Sequence, residues 1–293
     1  MIQYANKRDI SGTQSKAEVL IEALPYLKQF AGKRVVIKIG GELLKDEEDA
    51  KSLAQDLTLL KSVGINVIVC HGGGPQISEM MAAVNKSPEF VDGHRVTDAE
   101  TLEITAMVLL GKLNRALVSL LNAHGPQAIG LSGVDGRLFL VNPKDENLGF
   151  VGNIDAVDPD PVTKVLDAGY IPVVSSIGMD KDGVVYNINA DMAAGELAKA
   201  VGAEKFVVLT NVEGLYESFG DKDSLISEID AKALKELLDS GTLSAGMLPK
   251  AECILLALEA GVSKAHMLDG RVRHAVLLEI FTPEGIGTMV VPN

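Results

Sequence analysis

A lysine interrupts an apolar run and is followed at once by two glycines: Val35-Val36-Ile37-Lys38-Ile39-Gly40-Gly41. Valine and isoleucine pack well on a pleated surface, so the run predicts a buried strand. An unpaired ammonium is costly to bury, and Lys38 is therefore expected to leave the strand end toward something negative. The glycines carry no Cβ, which lets an anion come against the backbone. A second apolar strand opens into glycines at Val67-Ile68-Val69-Cys70-His71-Gly72-Gly73-Gly74-Pro75. Together the two predict a phosphate or carboxylate site at the C-terminal edge of a sheet.

Four further segments carry polar groups suited to such a site. In Gly93-His94-Arg95-Val96-Thr97 the guanidinium could clamp a carboxylate through two parallel hydrogen bonds, or it is an ordinary surface arginine near a helix start. In Tyr186-Asn187-Ile188-Asn189-Ala190-Asp191 alternation puts Asn187 and Asn189 on one side if the strand persists. Asp191 then opens the next helix, either as its N-cap or as a site residue. In Gly246-Met247-Leu248-Pro249-Lys250 the proline suits a first helical turn, but the lysine opposes the helix dipole unless an anion bridges it to the backbone amides. In Leu209-Thr210-Asn211-Val212-Glu213-Gly214-Leu215-Tyr216 a strand opens into a polar turn where nucleotide contacts are usual.

Hydrophobic periodicity gives the elements that must hold these groups. Residues 1–12 read as a loose tail, and Ser15 to Phe30 carries apolar residues at helical spacing, with Pro25 set to kink the helix. That helix has no place inside a βα unit, so its apolar face packs on another subunit or folds onto its own domain. Strands are predicted at 34–39, 65–70, 127–131, 137–141, 171–175, 184–188, 205–210, 264–268 and 287–291. Helices are predicted near 48–63, 75–86, 190–201, 231–239 and 249–260, with two more filling 98–124 and broken near Gly111. The alternation predicts an α/β protein, a three-layer αβα sandwich on an open, mainly parallel central sheet. The 131–188 stretch is expected to form an antiparallel hairpin region.

Length and composition narrow the function. A chain of 293 residues is long enough for one large α/β domain or two lobes. With 40 acidic against 27 basic residues the net charge is −13, which argues against nucleic acid or an anionic membrane as partner. An anionic ligand must then be held by local lysines and backbone amides. The N-terminus lacks a signal-peptide core and no run of 18 apolar residues occurs, so a cytoplasmic protein is expected. Cys70 and Cys253 form no CxxC pair and read as small buried hydrophobes. No GxxxxGK[ST], HExxH or GxSxG occurs, and Ile77 stands where GxGxxG needs its third glycine. The histidines have no metal-ligand spacing, and no metal site is predicted.

The segments VVIKIGG, HGGGPQI, DGHRVTD, VYNINADMAA, LTNVEGLY and GMLPK, in that order, resemble those of the amino acid kinase family, and the likeness covers essentially the whole chain. Within the family the likeness is to members that phosphorylate the γ-carboxylate of N-acetyl-L-glutamate, giving N-acetyl-L-glutamyl 5-phosphate, in arginine biosynthesis. The resemblance implies two lobes: 1–31 a tail and oligomerisation helix, 32–202 the acceptor lobe, 203–293 the nucleotide lobe. It implies that Lys38 and Lys250 are the transition-state lysines and that Asp191 orients both. Acceptor contacts then fall on Gly41, Gly73, Gly74, Arg95, Asn187 and Asn189. Nucleotide contacts fall on Gly40, Thr210, Asn211, Gly214, Leu215, Tyr216, Gly246 and Met247. ATP is the implied donor, with Mg²⁺ carried by the nucleotide. Two departures flank matched residues and bear on affinity: His94 replaces an apolar residue, and Ser244-Ala245 stand where a second glycine is common.

The chemistry agrees on independent grounds. A γ-carboxylate with a pKa of about 4.3 is already a nucleophile at neutral pH, so no general base is needed. What is needed is charge neutralisation between a carboxylate and a triphosphate, and lysines, Mg²⁺ and glycine-loop amides supply it. The N-terminal helix, through Glu22-Ala23-Leu24-Pro25-Tyr26, resembles the extension that interlaces dimers into a ring-shaped homohexamer in arginine-inhibited members. His266, Glu279 and the Gly285-Ile286-Gly287-Thr288 turn resemble their C-terminal pattern. The likeness implies inhibition by L-arginine held at Tyr26, His266, Glu279 and Gly287; a helix-end carboxylate and an ordinary turn are the plain alternative. A PII-type regulator binds some relatives, and no surface motif here speaks to it. Rival readings are a glutamate, aspartate or aminoadipate-derivative kinase, a UMP kinase, and a non-catalytic arginine or acetylglutamate sensor. The arginine motif argues against UMP, and the lysines with Asp191 argue against the sensor.

Overall fold

In the strand Arg34–Ile39 (β1) successive side chains go to opposite faces: Val36 joins one hydrophobic cluster, while Val35, Ile37 and Ile39 join another. Both faces are covered, which is why the strand reads as a nearly continuous apolar run. The computed structural model describes residues 10–217, 221–244, 246–282 and 285–293, with the backbone alone for residues 10–17 and Lys222.

The first helix is Ile10–Phe30 (α1), so residues 10–12 belong to it and not to a tail; residues 1–9 lie outside the described residues. The backbone stays helical on both sides of Pro25. Tyr26 and Phe30 pack onto the domain, whereas Val19, Leu20, Ile21 and Leu24 are exposed. After β1 come α2 (Glu47–Ser62), β2 (Asn66–His71), α3 (Gly74–Ala83) and the short hairpin β3 (Phe90–Val91) and β4 (His94–Arg95). Next are α4 (Ala99–Ala106), α5 (Arg115–Asn122), β5 (Ala128–Ser132), β6 (Phe139–Pro143), β7 (Val151–Val157) and α6 (Asp160–Asp167). Then follow β8 (Ile171–Ser175), β9 (Ile177–Met179), β10 (Val185–Ile188), α7 (Ala190–Ala200) and β11 (Lys205–Thr210). The chain closes with β12 (Glu228–Asp230), α8 (Ala231–Asp239), α9 (Leu248–Glu259), β13 (Lys264–Asp269), α10 (Ala275–Phe281) and β14 (Thr288–Val291).

The main sheet has the order β12-β14-β13-β11-β1-β2-β8-β5. It is parallel from β13 to β5, and β14 runs antiparallel to β13. Helices α2, α5 and α10 cover one face through Leu57, Leu121 and Ile280; α7 and α9 cover the other through Leu197 and Ile254. This is the expected three-layer αβα sandwich. Because β11 pairs along β1, a single sheet runs through both the 32–202 and the 203–293 segments.

Three expectations are corrected. The 131–188 region does hold antiparallel pairs, β6 with β7 and β9 with β10, but parallel pairs β7 with β10 and β6 with β9 close these into a small barrel instead of an open hairpin region. The 98–124 stretch does not break at Gly111; α4 and α5 are joined by a wider π-type stretch, Met107–Asn114. A Cβ at Gly111 would meet nothing, and the burial of Val108, Leu109, Leu113, Leu117 and Leu121 outweighs a glycine penalty of about 1 kcal/mol. The same Ala99–Asn122 stretch is long and apolar enough for a membrane span, yet these buried side chains make it a core helix. Finally, β3, β4, β7, α6, β9, β12 and α10 were not predicted. In α10 the run Ala275-Val276-Leu277-Leu278 fits a helix or a strand equally.

Candidate active site

Lys38 shares the β1 face of Val36 and is only 5 % exposed. Its ammonium meets Asp191 Oδ1 at 2.7 Å, and Lys250 Nζ donates to Asp191 Oδ2 at 3.2 Å. The local sequence explains this meeting. The Asn189 side chain caps α7 by accepting from the Asp191 and Met192 amides at 2.9 and 3.2 Å. Asn189 is thus the N-cap, and Asp191 is left with its carboxylate free in the first turn, where the helix dipole favours negative charge. A Cβ at Gly195 would stand 2.8 Å from the Cys253 carbonyl oxygen, so α7 and α9 approach closely there and bring the start of α9 beside Asp191. Lys250 also donates to the Gly246 carbonyl at 3.2 Å. Burial alone would raise the Asp191 pKa, but the two ammonium groups hold it below the usual carboxylate range. Two cations on one anion leave a positive charge for a ligand to neutralise.

The two glycine loops lie against each other. A Cβ on Gly41 would stand 2.7 Å from Gln76 Oε1 and 2.9 Å from Pro75 Cδ, and Gln76 Nε2 donates to the Gly41 carbonyl at 2.7 Å. A Cβ on Gly73 would overlap Leu113 Cδ1 and come 2.8 Å from Leu109 Cδ2. Between the loops and α7 lies a cavity of ≈ 250 Å³ that brings Lys38, Gly41, Gly74, Arg95, Asn187 and Asp191 onto one surface, together with Gly40, Gly73 and Asn189. Arg95 is buried; one of its terminal nitrogens donates to the Gly74 carbonyl at 2.9 Å and to Ser78 Oγ at 2.8 Å. Its guanidinium lies 4.8 Å from the Phe90 ring centroid. Burial lowers its pKa, and among the described residues no carboxylate pairs with it. A buried guanidinium without a counter-charge, beside a cavity, suits a carboxylate ligand. Asn187 Nδ2 reaches Thr97 Oγ1 at 3.4 Å.

Of the nucleotide set, only Gly40 lines this cavity. Thr210 ends β11, with its hydroxyl 3.4 Å from Asn211 Oδ1, and the Asn211 carbonyl accepts from Arg271 at 2.8 Å. The Tyr216 hydroxyl donates to the Glu213 carboxylate. Gly214 packs on Thr288, whose Oγ1 accepts from the Leu215 amide at 2.8 Å. Leu215 is 1 % exposed, so its side chain serves the core. Gly246 and Met247 lead into α9, and the Met247 amide donates to the Ser244 carbonyl at 2.8 Å. Ala245, the second residue of the Ser244-Ala245 departure, lies outside the described residues.

A second cavity, ≈ 520 Å³, opens between α1 and the start of β11, and Tyr26, His266, Glu279 and Gly287 all line it. Lys205 and Phe30 line it as well. His266 Nδ1 lies 2.5 Å from Glu279 Oε1, and the Ile286 amide donates to Oε2 at 3.0 Å. Burial lowers the His266 pKa, against the opposing effect of the Glu279 carboxylate beside it. Lys205 lies 5.0 Å from the Phe30 ring centroid, and burial brings its pKa down to about 8.

Sequence reasoning missed Gln76, Ser78, Thr97 and Asn114, which hold the loops, and Lys205. Gln76 and Ser78 sit at the start of α3, where they look like ordinary first-turn residues. Lys205 opens a strand, the position of a solvent-facing lysine.

A family model described as "Amino acid kinase family" matches residues 33–269. The acetylglutamate kinase of Thermoanaerobacter pseudethanolicus is 50 % identical over 278 residues, 94 % of this chain and 93 % of that one. The acetylglutamate kinase of Rhodococcus jostii is 52 % identical over 285 residues, 95 % of this chain and 92 % of that one. Among solved structures, the N-acetylglutamate synthase of Neisseria gonorrhoeae complexed with coenzyme A and L-arginine matches with a TM-score of 0.79 and 26 % identity. That match covers 94 % of this chain and 65 % of the synthase, so the chain spans less than two thirds of it.

Proposed function

The chain belongs to the amino acid kinase family, and we propose that within it the chain transfers the γ-phosphoryl group of ATP to the γ-carboxylate of N-acetyl-L-glutamate. The name of its relatives, acetylglutamate kinase, supports the acceptor. The observation that carries the reading is one buried carboxylate, Asp191, holding two lysines from distant parts of the chain beside a cavity lined by Arg95, with which no carboxylate among the described residues pairs.

In this reading Arg95 and Asn187 hold a carboxylate of the acceptor and fix its orientation. The γ-carboxylate, with a pKa of about 4.3, attacks as the anion it already is. Lys38, Lys250 and the glycine-loop amides offset the charge that spreads over the phosphoryl oxygens. Asp191 is the positioning residue: it fixes both ammonium groups and takes no proton. It is already bridged by two lysines, so Mg²⁺ would come with the nucleotide and help offset its charge. Thr210, Asn211, Gly214, Tyr216 and the turn before α9 receive the nucleotide, with Leu215 acting through its backbone. The division into a 32–202 acceptor lobe and a 203–293 nucleotide lobe belongs to this proposal, as does a cytoplasmic setting where ATP is supplied. A coupled ADP-release assay across acetylglutamate, glutamate, aspartate and UMP tests it. Turnover is expected with acetylglutamate; preference for any of the other three would reject the acceptor.

The second cavity supports regulation by L-arginine. It offers an anion, Glu279, and a cation, Lys205, to a ligand that carries both charges, and both sit beneath α1. The arginine complex of the structurally similar synthase supports this choice. The exposed Val19, Leu20 and Ile21 face of α1 suits a second copy of the chain, in keeping with a homohexamer. A chain lacking residues 1–30 should lose both the hexamer on gel filtration and the response to arginine; an unchanged hexamer would overturn the assembly.

A further inference from the structure

We propose that His71 and Asn114 are positioning residues for the phosphoryl site, with His71 serving as a fixed, neutral hydrogen-bond donor that holds the Gly72 carbonyl away from the ligand. The proposal rests on reading Gly72–Gly74 as an anion-binding loop.

His71 is the last residue of β2 and is fully buried. Its Nδ1 lies 3.2 Å from the Gly72 carbonyl oxygen. A carbonyl only accepts, so Nδ1 carries the proton and Nε2 the lone pair. Asn114 Nδ2 lies 3.2 Å from that Nε2 and donates to it. The same Asn114 nitrogen donates to the Val173 carbonyl at 2.8 Å and faces the Leu131 carbonyl at 3.4 Å. Two acceptor-only neighbours thus set the amide, and the amide sets the imidazole tautomer. Protonating Nε2 would place one N–H against another. Burial agrees, since it pushes the His71 pKa down to about 4.

The consequence appears in the loop. The Gly72 carbonyl is taken by His71, the Gly73 carbonyl by the Ile77 amide at 2.9 Å, and the Gly74 carbonyl by Arg95 at 2.9 Å. All three oxygens are engaged on the protein. As N-cap and first residue of α3, Gly73 and Gly74 have no intrahelical acceptor for their N–H groups, which stay available to an anion. A released Gly72 carbonyl would bring a partial negative charge toward the phosphoryl oxygens. The π-type stretch holds the loop from two sides: Leu109 and Leu113 press on Gly73, and Asn114 acts on Gly72 through His71.

Two substitutions separate this role from simple packing. His71→Asn places an amide N–H near the Nδ1 position and gives up Asn114; His71→Gln reaches toward Asn114 and gives up Gly72. With acetylglutamate and ATP, His71→Asn should keep kcat within about 3-fold, whereas His71→Gln should lose about 10-fold in kcat with little change in KM, as expected for one hydrogen bond. Thermal melts in parallel measure the folded fraction. The reverse order, or losses that track melting alone, would overturn the proposal. A third measurement does not depend on the acceptor or on variants that fold. In ¹⁵N spectra of the parent protein, His71 should show the neutral Nδ1–H form down to about pH 5. An Nε2–H form, or titration near pH 6.5, would overturn it. An inactive parent that shows the Nδ1–H form would instead reject the kinase reading and leave the tautomer assignment standing.

Discussion

At the C-terminal edge of the sheet Lys38 and Lys250 share the Asp191 carboxylate at 2.7 and 3.2 Å, whereas beneath α1 the buried Lys205 has, among the described residues, no carboxylate at ion-pair distance and lies 5.0 Å from the Phe30 ring. The pKa values follow: Asp191 is held low by its two cations, while burial brings Lys205 down to about 8. In the first cavity Lys38 and Lys250 are fixed against Asp191 before any ligand arrives, an arrangement that needs little reorganisation to meet developing negative charge. In the second, Lys205 stands apart from Glu279, whose carboxylate already meets His266 and the Ile286 amide. That arrangement suits binding and release of a charged ligand better than chemistry on it. The two cavities thus differ in how their lysines are held: against a carboxylate at the first, against an aromatic ring at the second.

The largest effects should come from removing a fixed charge at the first cavity. Lys38→Ala or Lys250→Ala should lower turnover by about 10²–10³ or more, with the fold retained by circular dichroism. Near-normal turnover in either purified variant would remove that lysine from the mechanism.

Asp191→Asn tests the compensation itself. It leaves Lys38, a buried ammonium, without a counter-ion, so a stability loss of about 3 kcal/mol at pH 7 is expected. Because its folded-state pKa is depressed, Asp191 contributes stability above the unfolded carboxylate pKa of about 3.9 and loses it as pH falls through the folded value. The gap between parent and variant in urea melts should therefore be full at neutral pH and narrow only in strong acid. A gap that closes near pH 6 would point to another group.

At the second cavity the effect should be on regulation. Glu279→Gln keeps the shape but removes the anion, and should weaken arginine inhibition about 10-fold while kcat without arginine stays the same. Dose–response curves in the coupled assay measure this, and an unchanged curve would separate Glu279 from arginine.

The same contrast governs what the sequence revealed. Strands β1, β2, β11 and β13 are buried on both faces, so each appears as a continuous apolar run, and the sheet could be read from them. Lys38 and Lys250 were legible because each violates a local preference, one inside an apolar strand and one at a helix N-terminus. Groups whose role is set by distant partners left no such mark. Asn114 looks like a helix residue until His71 and Val173 are seen around it, and β7 becomes a strand only because β6 and β10 flank it. Lys205 was missed because a lysine at a strand start is normally wet, whereas here it is buried beside Phe30.

Lys205 also yields the smallest expected effect and the most discriminating one. Its depressed pKa means that the unfolded chain binds a proton more tightly than the folded one between about pH 8 and 10.5. Stability therefore rises with pH across that window, and below pH 8 the folded state carries the full cost of the buried ammonium. Lys205→Met keeps the length and removes the charge. It should stabilise the protein by about 1 kcal/mol at pH 7, the desolvation relieved being partly offset by the lost contact with Phe30. The advantage should fade as pH approaches 10.5, where the parent's own lysine is neutral. An equal gain at pH 7 and pH 10 would assign the effect to packing. A loss at pH 7 would mean that Glu279 already compensates Lys205, and the two cavities would then differ in shape but not in charge.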